Sequence, residues 1–206
     1  MSLTNPLHDN NLLREMRAGN TAAFQTLYRQ HQAPLYRYAL LRAASADVAA
    51  DVVQDVFMGL LTDSYQFDPL RGNLQSFLFG VARNLILKRE EARRRFVSTS
   101  ADAENEDEDQ EWASEDRMEE DEPARQLFSN QVAEQVRQAL AALAPHYRDV
   151  VVLYEMHDMS YVDIAQICQI DIGTVRSRLS RARAALLKKL AHLEPGNSAV
   201  RGGTAG

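Results

Sequence analysis

The chain carries one cysteine, Cys168, in 206 residues, so no intramolecular disulfide is available to it. Its five histidines do not pair with that cysteine at metal-ligand spacing, which excludes a zinc module. No apolar run approaches the roughly eighteen residues that a membrane span needs. The opening MSLTNPLHDNNLLREM lacks the charged and then apolar regions of a secretory signal. The expectation is a cytoplasmic protein without membrane insertion. Nucleophile-and-base constellations are missing too: His146 and His157 stand isolated, and the carboxylates gather in one tract or on polar faces. That pattern predicts no catalytic residue, no metal, no cofactor, and a chain that is not an enzyme. Strand patterns are nearly absent, the short Val150–Leu153 run being flanked by helical spacing, so the fold class expected is all-α in two helical domains.

Negative charge is abundant, but it is concentrated. Residues 101–122 hold thirteen Asp or Glu and one Arg, and removing them leaves 22 Lys and Arg against 16 Asp and Glu. The formal charge of -6 therefore conceals a basic remainder. The tract has no helical apolar stripe and reads as a linker, 98–123, between domains over 1–97 and 124–194, with a Gly-rich disordered tail at 195–206.

In the first domain, Phe24, Leu27, Tyr28, Leu35, Tyr38 and Leu41 recur at helical spacing, with Thr21 as the expected cap and a break expected near Ala33 before Pro34. Phe24, Tyr28 and Tyr38 read as core aromatics. A strongly amphipathic helix follows, with Val48, Val52, Val56 and Leu60 inward and Asp47, Asp51, Gln54 and Asp55 outward. Pro69 and Gly72 mark a loop, TDSYQFDPLRGN. The next helix has a basic far end: Arg83, Lys88, Arg89, Arg93, Arg94 and Arg95. With Tyr65, Phe67, Phe77 and Phe79 taken as exposed aromatics nearby, it combines phosphate attraction with surfaces on which an unpaired base stacks.

The second domain ends in SYVDIAQICQIDIGTVRSRLSRARAALLKKL, two helices around a short turn. Ile164, Ala165, Ile167, Val175 and Leu179 fall where the pair would face each other, and no acidic residue interrupts 172–190. Asp171 or Gly173 caps the second helix, leaving Thr174, Arg176, Ser177, Ser180 and Arg181 at its exposed start. A short apolar helix, a tight turn and a basic helix form the helix-turn-helix that enters the DNA major groove, where Arg is the commonest reader of guanine. Gln169 occupies the turn position that glycine fills at least cost.

Three stretches together resemble the extracytoplasmic-function group of bacterial RNA polymerase sigma factors. DVAADVVQDVFMGLL is similar to that family's polymerase-clamp-binding helix, NLQSFLFGVARNLILKREEARRR to its −10-element helix, and YVDIAQICQIDIGTVRSRLSRARAAL to its −35-element reader. The resemblance implies that Asp51, Gln54 and Asp55 meet core RNA polymerase. It implies that Asp68, Arg71, Asn73 and Phe77 surround a captured −10 base, with Arg83, Asn84, Lys88, Arg93 and Arg94 guiding the strand. It adds Arg178 and Arg183 to the −35 set, and implies promoter DNA and an anti-sigma factor as partners. Phe77 stands where the family often has tryptophan, Lys88 near an aspartate of the family pattern, and Gln169 at a usual glycine.

The 26-residue linker spans about 28 Å as a relaxed coil and on the order of 90 Å extended. Two DNA turns are about 70 Å, so it joins two promoter sites only when drawn out. A further expectation is that this acidic segment folds back on the basic faces of the free chain. Two other readings compete: a stand-alone helix-turn-helix regulator with an N-terminal sensing or dimerisation domain, and a helical scaffold with no DNA role.

Overall fold

A computed structural model of the protein describes residues 6–99 and 123–191, with side chains over 7–96 and 132–191. The described residues form helices and no strand. In chain order these are α1 (Pro6–Arg17), α2 (Thr21–Ala43), α3 (Ala46–Leu61), a 3-10 turn (Pro69–Arg71), α4 (Leu74–Thr99), α5 (Pro123–Ala141), α6 (Pro145–Glu155), α7 (Tyr161–Cys168) and α8 (Ile172–Leu190). The expected linker and tail, and with them the fold-back of the acidic segment, lie outside the described residues apart from the ends of α4 and α5.

Local chemistry explains the starts. Asn20, not Thr21, caps α2: its carboxamide oxygen accepts from the amides of both Ala22 and Ala23. Ser45 caps α3 by accepting from Val48 N–H. The break expected at Pro34 does not occur, and α2 runs through it. One lost backbone bond is offset because Leu27, His31, Leu35, Tyr38 and Ala39 bury one continuous face on both sides of the proline. Pro145 opens α6, where its missing N–H costs nothing.

Helices α2, α3 and α4 pack through Leu27, Leu35, Val52, Val56, Leu60, Leu74, Leu78 and Ile86; α6, α7 and α8 pack through Val150, Leu153, Ile164, Val175 and Leu179. These are not two separate cores. One apolar cluster runs through both halves, with α6 against α2 and α7 against α4. Phe79, expected among exposed aromatics, is 2% exposed at this seam, edge-on to Tyr38 and to His157 at centroid distances of 5.2 and 4.8 Å. Phe67 is likewise buried, whereas Tyr28, expected in the core, is exposed. Both differences have one origin. Periodicity reports which face of a helix is apolar, and the packing of other elements decides how much of that face is covered.

Candidate nucleic-acid interface

The helix-turn-helix is built from its caps outward. Ser160 accepts from Asp163 N–H to start α7. Gln169 ends it with φ 56° and ψ 48°, so the left-handed turn is made without glycine. Asp171 then caps α8, its two carboxylate oxygens accepting from the amide and the hydroxyl of Thr174. Those hydrogen bonds hold the Asp171 carboxyl below its ordinary range. Of the −35 residues expected from sequence, Thr174 is thus engaged in the cap, and Ser177 donates to the Thr174 carbonyl. Arg176, Ser180, Arg181 and Arg183 are exposed along α8, and Arg178 is half-buried. Arg183 donates from Nε to Glu155 at 2.8 Å, which with Tyr154 raises its pKa.

On the N-terminal half, five of the residues expected at −10 line a single cavity of about 730 Å³: Asp68, Arg71, Asn73, Phe77 and Asn84. Asp68 caps the 3-10 turn by accepting from Leu70 N–H, and Asn73 performs the same service for α4 by accepting from Ser76 N–H. The Phe77 ring stands 5.3 Å from buried Phe67, giving the cavity an aromatic wall. Its far wall is Gln166 and Ile167 of α7. Arg83, Arg93 and Arg94 line a second groove of about 520 Å³ with Arg42 and His146. Lys88 is exposed and lines neither.

Carboxylates from the C-terminal half occupy this surface. Asp149, 1% exposed, accepts from Arg42 Nε at 2.5 Å, Arg83 Nε at 2.9 Å and the Tyr38 hydroxyl at 3.3 Å. Glu90 takes the other edge of the Arg42 guanidinium. Burial works against the charge on Arg42, yet the Glu90 hydrogen bond and the Asp149 charge more than offset it and raise its pKa. Burial raises the pKa of Tyr38 as well, with the Asp149 charge adding to it. Asp163 accepts from Asn73 Nδ2 at 3.2 Å and from the Ser76 hydroxyl at 2.9 Å.

The face expected to meet polymerase has two parts. Asp51, Gln54 and Asp55 are exposed on α3, and Arg89 of α4 bridges both aspartates, at 3.2 and 2.8 Å. Beside Gln54 an open apolar groove of about 720 Å³ runs between α2 and α3, with Tyr28, Tyr36, Met58 and Leu61 on its walls. Sequence reasoning missed this groove and the Arg42–Asp149 pair. Arg42 does carry a signal: it continues the inward series Leu35, Tyr38, Ala39 at helical spacing.

Residues 27–96 match the family described as Sigma-70 region 2, and residues 133–186 the family described as Sigma-70, region 4. The sigma factor EcfG of Rhodopseudomonas palustris is 32% identical over 152 residues, 74% of this chain and 76% of that one. The chain belongs to the ECF RNA polymerase sigma factors. Another relative, SigM of Mycobacterium tuberculosis, is 30% identical over 190 residues, covering 91% of this chain and 87% of its own. Among solved structures, the sigma factor RpoE in complex with the anti-sigma factor NepR from Bartonella quintana superposes with a TM-score of 0.63 at 27% identity, covering 82% of this chain and 96% of that one. CnrH in complex with the cytosolic domain of CnrY shares the fold, with a TM-score of 0.61 at 24% identity, over 90% of this chain and 98% of its own. The sigma-factor reading therefore displaces the stand-alone regulator and the scaffold. Among the described residues no group of acidic, histidine and cysteine side chains would hold a metal ion, and no helix is long and apolar enough to cross a membrane.

Proposed function

We propose that this ECF sigma factor binds core RNA polymerase through the α2–α3 groove with Asp51, Gln54 and Asp55 at its edge, captures a −10 base in the cavity beside Asn73 and Phe77, and reads the −35 element with α8. The domains run 1–97 and 124–194, joined by the acidic linker, and the chain itself performs no chemistry. The observation that carries the reading is the convergence of Asp68, Arg71, Asn73, Phe77 and Asn84 on one cavity, in a family of initiation factors. Polar groups for a base edge, an aromatic wall for its face and Arg93 and Arg94 for phosphates suit a nucleotide taken out of the stack. Such capture offsets a melting cost of a few kcal/mol.

Asn73 and Arg83 are paired with Asp163 and Asp149, so DNA capture requires the two halves to part. Core polymerase and promoter DNA supply the binding energy for that separation. The structural neighbour was solved with an anti-sigma factor, and we assign this chain a protein inhibitor of that class, which acts by keeping the halves together. The test is transcription in vitro with core polymerase, on genomic DNA fragments, with and without the chain. Discrete promoter-dependent starts appear only with the chain present. Absence of any such start rejects the reading, and loss of starts in an Asn73→Ala, Phe77→Ala variant that still binds core assigns the defect to base capture.

A further inference from the structure

Arg176 and Arg183 lie seven residues apart on α8, two helical turns, and so share one flank of the helix. The space along that flank is filled by two tyrosines from other elements: Tyr154 in the last turn of α6 and Tyr161 at the start of α7. The Arg183 guanidinium stands 5.1 Å from the centre of the Tyr154 ring. The Tyr154 and Tyr161 rings are 5.3 Å apart. The Arg176 guanidinium stands 5.9 Å from the centre of the Tyr161 ring. Glu155 closes one end, accepting from Arg183 Nε at 2.8 Å and from its terminal nitrogen at 2.7 Å. The sequence of groups is carboxylate, guanidinium, ring, ring, guanidinium.

We infer that Tyr161 and Tyr154 are positioning residues for −35 recognition, holding Arg176 and Arg183 along the flank of α8 before DNA arrives. The inference rests on the proposal that α8 reads that element. A guanidinium contacts a ring through its face and hydrogen-bonds through its edge, so stacking leaves the N–H fork free for a base or a phosphate. Fixing a long side chain in advance removes part of the ordering cost of binding. The two arginines then have different tasks. Arg183 has one edge committed to Glu155 and keeps only the remainder for a DNA phosphate. Arg176 has no carboxylate partner among the described residues, so its whole fork is offered to a base edge near the start of α8. Arg181, with neither ring nor carboxylate against it among the described residues, is left as a cation for the backbone.

The test uses holoenzyme, full chain plus core polymerase, selecting from a duplex library randomised over the upstream element ahead of a fixed pre-melted bubble. Arg176→Ala flattens the base preference at one position. Tyr161→Leu, which keeps apolar bulk and removes the ring, lowers the preference at that same position by about two- to five-fold, the range expected for one exposed cation–ring contact. Tyr161→Phe restores it, because the ring and not the hydroxyl carries the contact. Tyr154→Leu weakens binding to all members of the library together, as a phosphate contact would. A Tyr161→Leu profile identical to the parent's overturns the inference, and so does a loss spread evenly over every position, which a merely structural role would give. Equal losses in Tyr161→Phe and Tyr161→Leu overturn it as well. If Arg176→Ala flattens no position, the assignment of Arg176 as a base reader fails and takes this inference with it. That outcome is told apart because it does not depend on the tyrosine variants.

Discussion

His157 sits where the two halves meet, edge-on to Phe79 and Tyr38, with Arg37 and Asp158 as its charged neighbours. Burial, assisted by Arg37 and opposed by Asp158, lowers its pKa to about 4. Its folded pKa lies below the unfolded value of about 6.5, so the unfolded chain takes up the proton first. The stability contributed by neutral His157 is complete above pH 6.5 and is lost as pH falls towards 4. A melting-temperature profile from pH 7 to 4 shows this loss, and His157→Gln flattens it. Cys168 is buried too, and burial pushes its thiol up to about 11, leaving it protonated and slow to alkylate until the fold opens. The apolar stripe beside it, Ile164, Ala165 and Ile167, was legible in the sequence. The roles of Thr174 and Ser177 were not, because hydroxyls that look free in a sequence are taken by the cap of their own helix.

Among the elements, the turn between α7 and α8 carries the clearest local cost. Gln169 holds φ 56° and is exposed. Gln169→Gly therefore stabilises the protein by about 0.5–1 kcal/mol in denaturant titration, without changing DNA selectivity. Asp171→Ala acts in the opposite sense. It removes the cap of α8 and lowers the melting temperature, and it frees the Thr174 hydroxyl from its present partner. Gly59 marks a different constraint: an added Cβ would collide with the Tyr65 ring, which packs against the backbone of α3 there. Gly59→Ala displaces Tyr65 and the start of the loop that carries Asp68, so its defect appears in −10 capture more than in −35 binding. Asp171, one of two caps the sequence offered for α8, and the turn at Gln169 depend on residues a few positions apart, so sequence reasoning could place them, though it put the cap of α2 at Thr21 rather than Asn20. Pro34 misled it because the compensation comes from two other helices.

At the scale of the molecule, Asp149 and Asp163 fasten the C-terminal half onto the surface proposed for −10 DNA. Removing one partner of a buried ionic cluster leaves the others uncompensated, at a cost of about 3–5 kcal/mol. Asp149→Asn leaves Arg83 against a neutral group and Arg42 with Glu90 as its one carboxylate, and drives the halves apart. Small-angle scattering records a larger radius of gyration for that variant, with α8 helicity retained. If the radius stays at the parent's value, the carboxylate does not hold the seam. A mild separation of this kind also raises the affinity of the free chain for single-stranded −10 DNA, because Arg83 loses its internal competitor.

The helices, the helix-turn-helix and the basic character of α4 and α8 were determined by the sequence alone. Each depends on spacing, capping and local charge, which act over a few residues. The family motifs were legible for the same reason. Three things were decided only by tertiary structure. The halves share one apolar cluster, five loop and helix residues enclose one cavity, and acidic side chains far away in the chain are placed against Arg42, Arg83 and Asn73. Asp149 is 107 residues from Arg42, and no periodicity links positions at that separation. Only the packing of α6 on α2, which buries both charges together, makes them partners.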